Sequence, residues 1–242
     1  MRIIKLDATP STNSFLKAYA KENNYESEWV VVANQQTQGR GQAGSKWVSE
    51  SGKSLTFSVF KRIDRLDLHE QFFVSMAVSL AVKKVLQAHL VPNLSVKWPN
   101  DILSANRKIC GILIENCISK GNYLGAVIGV GVNVNESSVK NVPKATSVFI
   151  ETGVVSDLDA LVLEMTQSIS ESVIELIQNK ATIKQKYEDA LFQKDKIMTF
   201  QDVSGTFFNG IITGVDSIGR LKLQKEDQSF SAYNTKEIRL LY

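Results

Sequence analysis

Six short runs rich in β-branched residues constrain the fold of this chain more than any other feature of its sequence. They predict β-strands over residues 2–7, 29–34, 54–61, 94–98, 108–116 and 123–133. Most of these runs are too continuously apolar for a sheet that has one face in water. Two segments with helical periodicity, residues 13–23 and 69–90, lie between the strands. We therefore expect a sheet with helices packed on it.

The C-terminal part of the chain has a different character. Helical patterns over residues 157–179 and 184–192 are followed, from about residue 194, by short strand patterns separated by Gly, Asp and Ser turns. We predict two domains, residues 1–193 and a small β-barrel over residues 194–242.

The charge balance argues against several kinds of partner. The chain of 242 residues has 28 basic and 25 acidic residues, and its net charge of +3 is spread along the sequence. Such a balance does not indicate a nucleic-acid-binding surface. No apolar run approaches the roughly 20 residues of a membrane helix, and the N-terminus has no signal-peptide pattern. We expect a cytoplasmic protein that neither crosses a membrane nor binds DNA specifically.

The glycine-rich stretch GRGQAGSKW, residues 39–47, follows the second predicted strand. Its glycines fit the GxGxxG pattern of dinucleotide-binding folds, but that pattern requires a helix next, and another strand pattern follows here. The nearby SGKS is not a P-loop, because Trp47 occupies the position of the required first glycine.

The same stretch has the chemistry of an anion site. Glycines expose backbone N–H groups, Arg40 supplies a planar fork for carboxylate or phosphate, and Lys46 adds a second cation. Trp47 offers an aromatic surface on which a base can stack. The alternative is a hairpin loop whose charges are merely solvated.

A lysine closes the fourth predicted strand, in SVKWPND. Because an unpaired charge in a buried strand is costly, Lys97 needs an anion. That anion is either a structural partner, Asp101 or Glu115, or a ligand held beside the glycine loop.

Neutral polar residues are concentrated near the N-terminus. Ser11 and Thr12 are suitable helix N-caps. Together with Asn13 and Gln36 they also provide donors and acceptors for a small uncharged polar ligand, and the two roles are compatible.

In this order, the motifs STN, QTQGRGQAGSKW, GKSLTFS, KWPNDIL, RKICGILIE and GVGVNVN resemble the catalytic region of biotin protein ligases. The resemblance covers most of residues 1–136, and the C-terminal barrel pattern, ending in KEIRLL, fits the same family. It implies an α+β fold in which a mixed β-sheet flanked by helices, similar to class II tRNA synthetases, is followed by a small SH3-like β-barrel.

The resemblance also implies a two-step reaction. Biotin reacts with Mg-ATP to give biotinyl-5'-AMP, and a lysine of a biotin carboxyl carrier protein domain then takes the biotinyl group. Lys97 and Arg40 are the expected catalytic residues, since they stabilise the charge that develops on phosphorus oxygens.

The binding residues are implied by the same resemblance. Those expected to bind biotin are Ser11, Thr12, Asn13, Gln36, Arg40, Gly41, Gln42, Lys97 and Gly111. Those expected to bind ATP are Arg40, Lys46, Trp47, Lys97, Lys108 and Asn133. The glycine loop is expected to be mobile when empty and to close over the adenylate.

Two departures from the family pattern matter. The family commonly has GRGRxGR, whereas Gln42 and Ser45 replace the second and third arginines here. We therefore expect weaker retention of the adenylate. The chain starts at the catalytic region, so we expect a short form without the N-terminal DNA-binding domain of some relatives. An exposed sheet edge is expected to pair with the carrier domain or with a second copy in a homodimer.

Two other functions remain open at this point. A lipoate protein ligase shares the fold and the adenylation chemistry, although its arginine and triple-glycine motif is missing here. A non-catalytic biotin or nucleotide sensor would not need both Lys97 and Arg40.

Overall fold

The computed structural model describes residues 2–63, 66–139 and 144–242. A seven-stranded mixed sheet and a five-stranded antiparallel sheet account for all the strands in the described part of the chain. The first sheet has the order β1-β2-β3-β7-β6-β5-β4; its strands are β1 (Arg2–Thr9), β2 (Trp29–Gln36), β3 (Ser54–Arg62), β4 (Leu94–Lys97), β5 (Asp101–Ser104), β6 (Arg107–Ser119) and β7 (Asn122–Asn133).

Five α-helices accompany the first sheet in the described residues: α1 (Thr12–Glu22), α2 (Phe72–Ala88), α3 (Val148–Thr152), α4 (Leu158–Gln178) and α5 (Lys180–Asp189). Short 3-10 helices occur at Gln42–Gly44 and Leu68–Glu70. No helix among the described residues is long and apolar enough to cross a membrane.

Only β1 and β2 run parallel; the other neighbouring pairs of the first sheet are antiparallel. A parallel pair needs a crossover connection, and α1 provides it. The Ser11 hydroxyl accepts a hydrogen bond from the backbone N–H of Ser14 and caps α1 at its start. Leu16 and Ala20, one turn apart, are buried on the inner side of this helix.

The strands are apolar on both sides because both faces of the sheet are covered. Val30 belongs to the larger core, which includes residues of α2, α4 and α5, whereas its neighbour Val31 belongs to a smaller core under α1. Val59 and Phe60 divide in the same way. Successive side chains of a strand point to opposite faces, which accounts for this division.

The two longest strands, β6 and β7, form a hairpin in the middle of the first sheet. Lys120 and Gly121, both with positive φ, connect them in a two-residue turn between paired Ser119 and Asn122. Such a turn matches the twist of the flanking strands.

The second sheet contains β8 (Ile197–Asp202), β9 (Phe207–Val215), β10 (Leu221–Lys225), β11 (Phe230–Tyr233) and β12 (Ile238–Leu241). Its order is β11-β10-β9-β8-β12. The predicted fold class, α+β with a mixed sheet flanked by helices and a small C-terminal β unit, is confirmed. The predicted boundary between residues 193 and 194 lies in the connection between α5 and β8, and the division into two domains stays a prediction.

Candidate active site

A cavity of about 190 Å³ opens over β6 and β7, beside the start of α1 and the glycine loop of residues 39–47. We call it the first cavity. It brings together eleven of the predicted site residues from distant parts of the sequence: Ser11, Thr12, Asn13, Gln36, Arg40, Gly41, Gln42, Lys46, Trp47, Lys108 and Gly111.

One end of the first cavity is a connected set of neutral polar groups. The backbone N–H of Thr12 donates to Gln36 Oε1 at 2.9 Å, and the Thr12 hydroxyl lies 3.1 Å from the same oxygen. Ser58 Oγ lies 2.7 Å from Thr12 Oγ1 and 2.6 Å from Asn13 Oδ1. Thr12, Asn13 and Ser58 are buried and Gln36 is half-buried, and because they are hydrogen-bonded to one another they form a rigid array for recognising polar ligand groups.

The floor of the first cavity consists of glycines in β6 and β7. A Cβ at Gly129 would lie 2.2 Å from Asn13 Oδ1, and one at Gly131 would lie 2.4 Å from Cε2 of the Trp47 ring. A Cβ at Gly111 would come 3.0 Å from the same ring. The absence of side chains here lets α1 and the tryptophan approach the sheet backbone.

The glycine loop is a small hairpin. Arg40 and Lys46 form an isolated antiparallel bridge, the Gly41 N–H donates to Ser45 O at 2.7 Å, and the Trp47 N–H donates to Gly39 O at 2.9 Å. Glycine is required at position 39, where a Cβ would lie 2.4 Å from Trp47 O. The hairpin carries Arg40, Lys46 and Trp47 to the rim of the first cavity.

Three cations line the first cavity, Arg40, Lys46 and Lys108, and two of them are held by carboxylates. Arg40 Nη2 lies 2.6 Å from Glu115 Oε2, and Lys108 Nζ lies 2.6 Å from Asp101 Oδ1. The Lys108 ammonium is also 5.6 Å from the centre of the Trp47 ring, within cation–π range. Lys108 is held further through its backbone, which exchanges hydrogen bonds with Lys144 O and the Thr146 N–H.

Lys97 does not share the first cavity with Arg40. It lines a second cavity of about 610 Å³ between the two sheets, which has Asp101 and Lys108 in common with the first. The two cavities adjoin at Asp101 and Lys108, so Lys97 lies next to the first cavity but outside its lining, and its convergence with Arg40 stays a prediction. The turn after Lys97 reverses the chain into β5, and the side chain lies 5.0 Å from the centre of the Tyr242 ring.

The structural partners considered for Lys97 are engaged elsewhere. Asp101 pairs with Lys108, and Glu115 pairs with Arg40 and Lys17. Neither forms an ion pair with Lys97 among the described residues. The half-buried ammonium instead faces an aromatic ring.

Asn133 is also absent from the lining of the first cavity. It is buried at the end of β7, where its Nδ2 donates to Thr146 O at 2.9 Å. This contact joins β7 to the segment before α3. The Asn133 side chain thus forms a structural hydrogen bond here, and its expected role in binding ATP stays a prediction.

Several lining residues were not predicted. Asn100 lies in the turn between β4 and β5, Asp101 is the first residue of β5, and the Asn100 amide donates to Ile112 O at 2.6 Å. Their position in the predicted Pro-Asn-Asp turn was a usable signal. Thr235, from the C-terminal sheet, also lines the first cavity, and nothing in the local sequence indicated this.

Neither a thiol nor a protein-built metal centre is evident at this site. Burial raises the pKa of the Cys110 thiol, which keeps it uncharged at neutral pH and unsuited to nucleophilic catalysis. Among the described residues, no three His, Cys, Asp or Glu side chains are grouped closely enough to hold a metal ion.

Comparisons with known proteins agree on one family. The profile described as "Biotin/lipoate A/B protein ligase family" matches residues 6–133. The bifunctional ligase/repressor BirA of Bacillus spizizenii is 28% identical over 232 residues, which cover 93% of this chain and 70% of that protein. The biotin--[acetyl-CoA-carboxylase] ligase of Mycobacterium tuberculosis is 28% identical over 219 residues, covering 89% and 80%.

A solved structure is similar over almost the whole chain. The biotin protein ligase from Aquifex aeolicus, in complex with biotin and ATP, superposes with a TM-score of 0.80 at 25% sequence identity. The match covers 99% of this chain and 98% of that one.

Proposed function

Because this chain belongs to the biotin/lipoate A/B protein ligase family, we propose that it is an ATP-dependent biotin protein ligase. It activates biotin with ATP and transfers the biotinyl group to a lysine of a biotin carboxyl carrier protein domain. Relatives along most of the chain carry this activity in their names, and a structure similar along nearly the whole chain was solved with biotin and ATP.

The observation that carries the proposal is the composition of the first cavity. A neutral array of buried Thr12 and Asn13 with half-buried Gln36 suits an uncharged polar ring system such as that of biotin. Two cations, Arg40 and Lys108, border the same cavity and suit a carboxylate that meets a phosphate. One cavity therefore contains groups suited to the ring system of biotin, to its carboxylate and to the reacting phosphate of ATP.

In the first step, a carboxylate oxygen of biotin attacks the α-phosphorus of ATP. A new carboxyl–phosphate bond forms, the bond to the β-phosphate breaks, and pyrophosphate leaves with its electrons. In the second step, the amine of the acceptor lysine attacks the acyl carbon, AMP leaves, and the amine loses a proton. The acceptor lysine is the nucleophile of this step, so the ligase itself needs no nucleophilic side chain.

We assign to Lys108 the electrostatic role that the sequence suggested for Lys97. Its position beside Asp101, in the lining of the cavity that Arg40 also borders, supports this. A cation about 4 Å from a phosphoryl oxygen contributes on the order of 4 kcal/mol at an effective dielectric constant near 20. About a third of that, if present only in the transition state, accelerates adenylation about tenfold.

Trp47 and the glycine loop complete the nucleotide side. The Trp47 ring lies over the glycine floor, where it presents an aromatic face to the cavity and supports the expectation of adenine stacking. Closure of the loop over the adenylate stays a prediction; it would keep water from the mixed anhydride.

Mg²⁺ is proposed as part of Mg-ATP. Magnesium in nucleotide sites is bound mainly by substrate phosphates with one or two carboxylates. Asp101, which borders both cavities, is the carboxylate that fits this requirement.

The proposed setting is the cytoplasm, where carboxylases and their carrier domains meet ATP. Homodimer formation and the absence of specific DNA binding stay predictions.

One assay tests the function. ATP–pyrophosphate exchange is measured with biotin, with lipoate and with neither acid. We expect exchange that requires biotin, followed by biotinylation of a purified carrier domain. Exchange that requires lipoate would identify a lipoate ligase. Biotin binding with no exchange would leave a sensor, and either result would contradict the proposal.

A further inference from the structure

The carboxylate of Glu115, on β6, is a meeting point for three donors at the edge of the first cavity. Arg40 Nη2 lies 2.6 Å and Asn13 Nδ2 lies 3.0 Å from Glu115 Oε2. Lys17 Nζ lies 3.3 Å from Glu115 Oε1. One side chain thus joins the glycine loop, the start of α1 and the sheet.

Glu115 and the Leu113 carbonyl together determine how the Asn13 amide is oriented. An ionised carboxylate only accepts hydrogen bonds, so the amide nitrogen must face it. The other hydrogen of this nitrogen serves Leu113 O at 3.2 Å, and Asn13 Oδ1 then faces Ser58 Oγ at 2.6 Å. The orientation set at Glu115 is therefore transmitted into the polar array of Ser58 and Thr12.

Glu115 also fixes the position of Arg40. The Arg40 side chain is 46% exposed and belongs to a glycine-rich hairpin, so little else restricts it. Glu115 is only 18% exposed, and a partly buried, charge-assisted hydrogen bond is about twice as strong as a neutral one. The guanidinium is thereby held at the wall of the first cavity.

We infer that Glu115 is a positioning residue of the biotin site, which acts through Arg40 and Asn13. The inference rests on the proposed function. In this role Glu115 orders a flexible cation and sets the direction of the hydrogen bonds of the polar array before biotin binds. Such preorganisation lowers the cost of binding.

The test is the variant Glu115→Gln, which keeps the size of the side chain and removes its charge. Replacing charge-assisted bonds by neutral ones is expected to raise the Kd and the KM for biotin about fivefold to tenfold. The KM for ATP is expected to change less than about twofold. Calorimetry gives the biotin Kd, and pyrophosphate exchange gives both KM values.

Lys17→Gln is the matched control. It removes the third partner of the same carboxylate, but Lys17 is 46% exposed and does not line the first cavity. A surface pair of this kind contributes little, so the biotin Kd is expected to stay within about twofold of the wild-type value.

The Arg40→Gln background distinguishes positioning from a general loss of structure. If Glu115 acts partly through Arg40, Glu115→Gln has a smaller effect on biotin affinity in this background than in the wild type. Equal effects in both backgrounds, an unchanged biotin Kd in Glu115→Gln, or an equal loss in Lys17→Gln would each overturn the inference.

Because calorimetry measures the biotin Kd without requiring catalysis, it tests this inference independently of the proposed function. A wild-type chain that binds biotin but shows no exchange contradicts the ligase proposal, while its biotin Kd still tests Glu115. A wild-type chain with biotin-dependent exchange whose affinity is insensitive to Glu115→Gln contradicts the inference alone.

Discussion

At the scale of single residues, the two lysines of KWPND and RKICG show what a sequence can and cannot settle. Both Lys97 and Lys108 end or begin a strand, and either could face a ligand. Which of the two lysines faces the ligand depends on where each strand end lies relative to the cavities once the chain has passed the Pro-Asn-Asp turn. In the structure Lys108 borders both cavities, whereas Lys97 lines only the second.

The neutral polar residues were easier to predict. Ser11, Thr12 and Asn13 are adjacent in sequence at the start of one helix, so their grouping is local and needs no knowledge of strand pairing. The grouping with Gln36 follows from the parallel pairing of β1 and β2, which aligns Thr9 with Gln36.

We predict that Lys108→Gln lowers the rate of adenylation at least about tenfold more than Lys97→Gln does. The reason is that Lys108, unlike Lys97, borders the first cavity together with Arg40, where the proposed reaction develops charge on the phosphoryl group. Rates are measured by pyrophosphate exchange at saturating biotin and ATP.

The comparison of the two lysine variants contains its own control, because both remove one positive charge from the same region. A larger rate loss in Lys97→Gln would return the catalytic role to Lys97.

At the scale of elements, the long runs were predicted well; of the shortest elements of the first sheet and its helices, β4 was predicted but β5 and α3 were missed. The six predicted strands all occur, and α1, α2 and α4 begin and end within a few residues of their predicted limits. The strand β5 has four residues and the helix α3 has five, too few for a periodicity to be visible. The helix expected over residues 184–192 starts earlier, at Lys180, because Asn179 caps it.

The junction between β7 and α3 contains a buried acid that the sequence did not reveal. Glu136 is 3% exposed, and its carboxylate accepts a hydrogen bond from Ser54. Its backbone oxygen accepts from Ser147, the N-cap of α3. Burial raises the pKa of Glu136 above its ordinary value.

We predict a pH-dependent contribution of Glu136 to stability. A folded pKa above the unfolded one means that this contribution is fully present below the unfolded pKa and is lost as the pH rises through the folded pKa. The free energy of unfolding of the wild type, relative to Glu136→Gln, is therefore expected to increase as the pH falls from neutrality toward 4.5. Urea unfolding at a series of pH values measures it.

Glu22→Gln serves as the control, since Glu22 is exposed at the end of α1. Its difference from the wild type is expected to vary much less over the same pH range. A flat difference for Glu136→Gln would show that burial at this junction does not govern its ionisation.

At the scale of the whole molecule, the two sheets share one hydrophobic core. Phe200, Ile212 and Leu223 of the C-terminal sheet belong to the same cluster as residues of α2 and the first sheet. Polar contacts add to the junction: Trp98 Nε1 donates to Gly219 O at 2.8 Å, and the Val215 N–H donates to Glu188 Oε1 at 2.9 Å. The sequence predicted the C-terminal unit from its composition but gave no sign of these contacts, because they depend on how the sheets pack.

Gly219 tests how closely the two parts fit. It has a φ of +89°, and a Cβ there would lie 2.1 Å from Phe72 Cγ. We predict that Gly219→Ala lowers the free energy of unfolding by about 2–4 kcal/mol, from strained backbone and a forced shift of Phe72. Chemical denaturation measures the change.

Gly205→Ala is the matched control that measures the cost of the strained backbone alone. Gly205 has a similar φ of +85°, but the nearest atom to an added Cβ is 3.9 Å away. Its cost is expected to be about 1 kcal/mol. Equal costs for the two variants would mean that Phe72 moves aside freely.

Because β1 and β2 run parallel with α1 crossing between them, the Ser-Thr-Asn segment is anchored to the scaffold, and Glu115 is its link to the glycine hairpin. Under the proposed function, recognition of the biotin ring therefore depends mainly on the rigid scaffold, and retention of the adenylate depends mainly on the glycine loop. Selection could adjust how quickly the intermediate escapes by altering residues 39–47 alone. Recognition of a different acid would require changes both at the start of α1 and at the glycines of β6 and β7 beneath it.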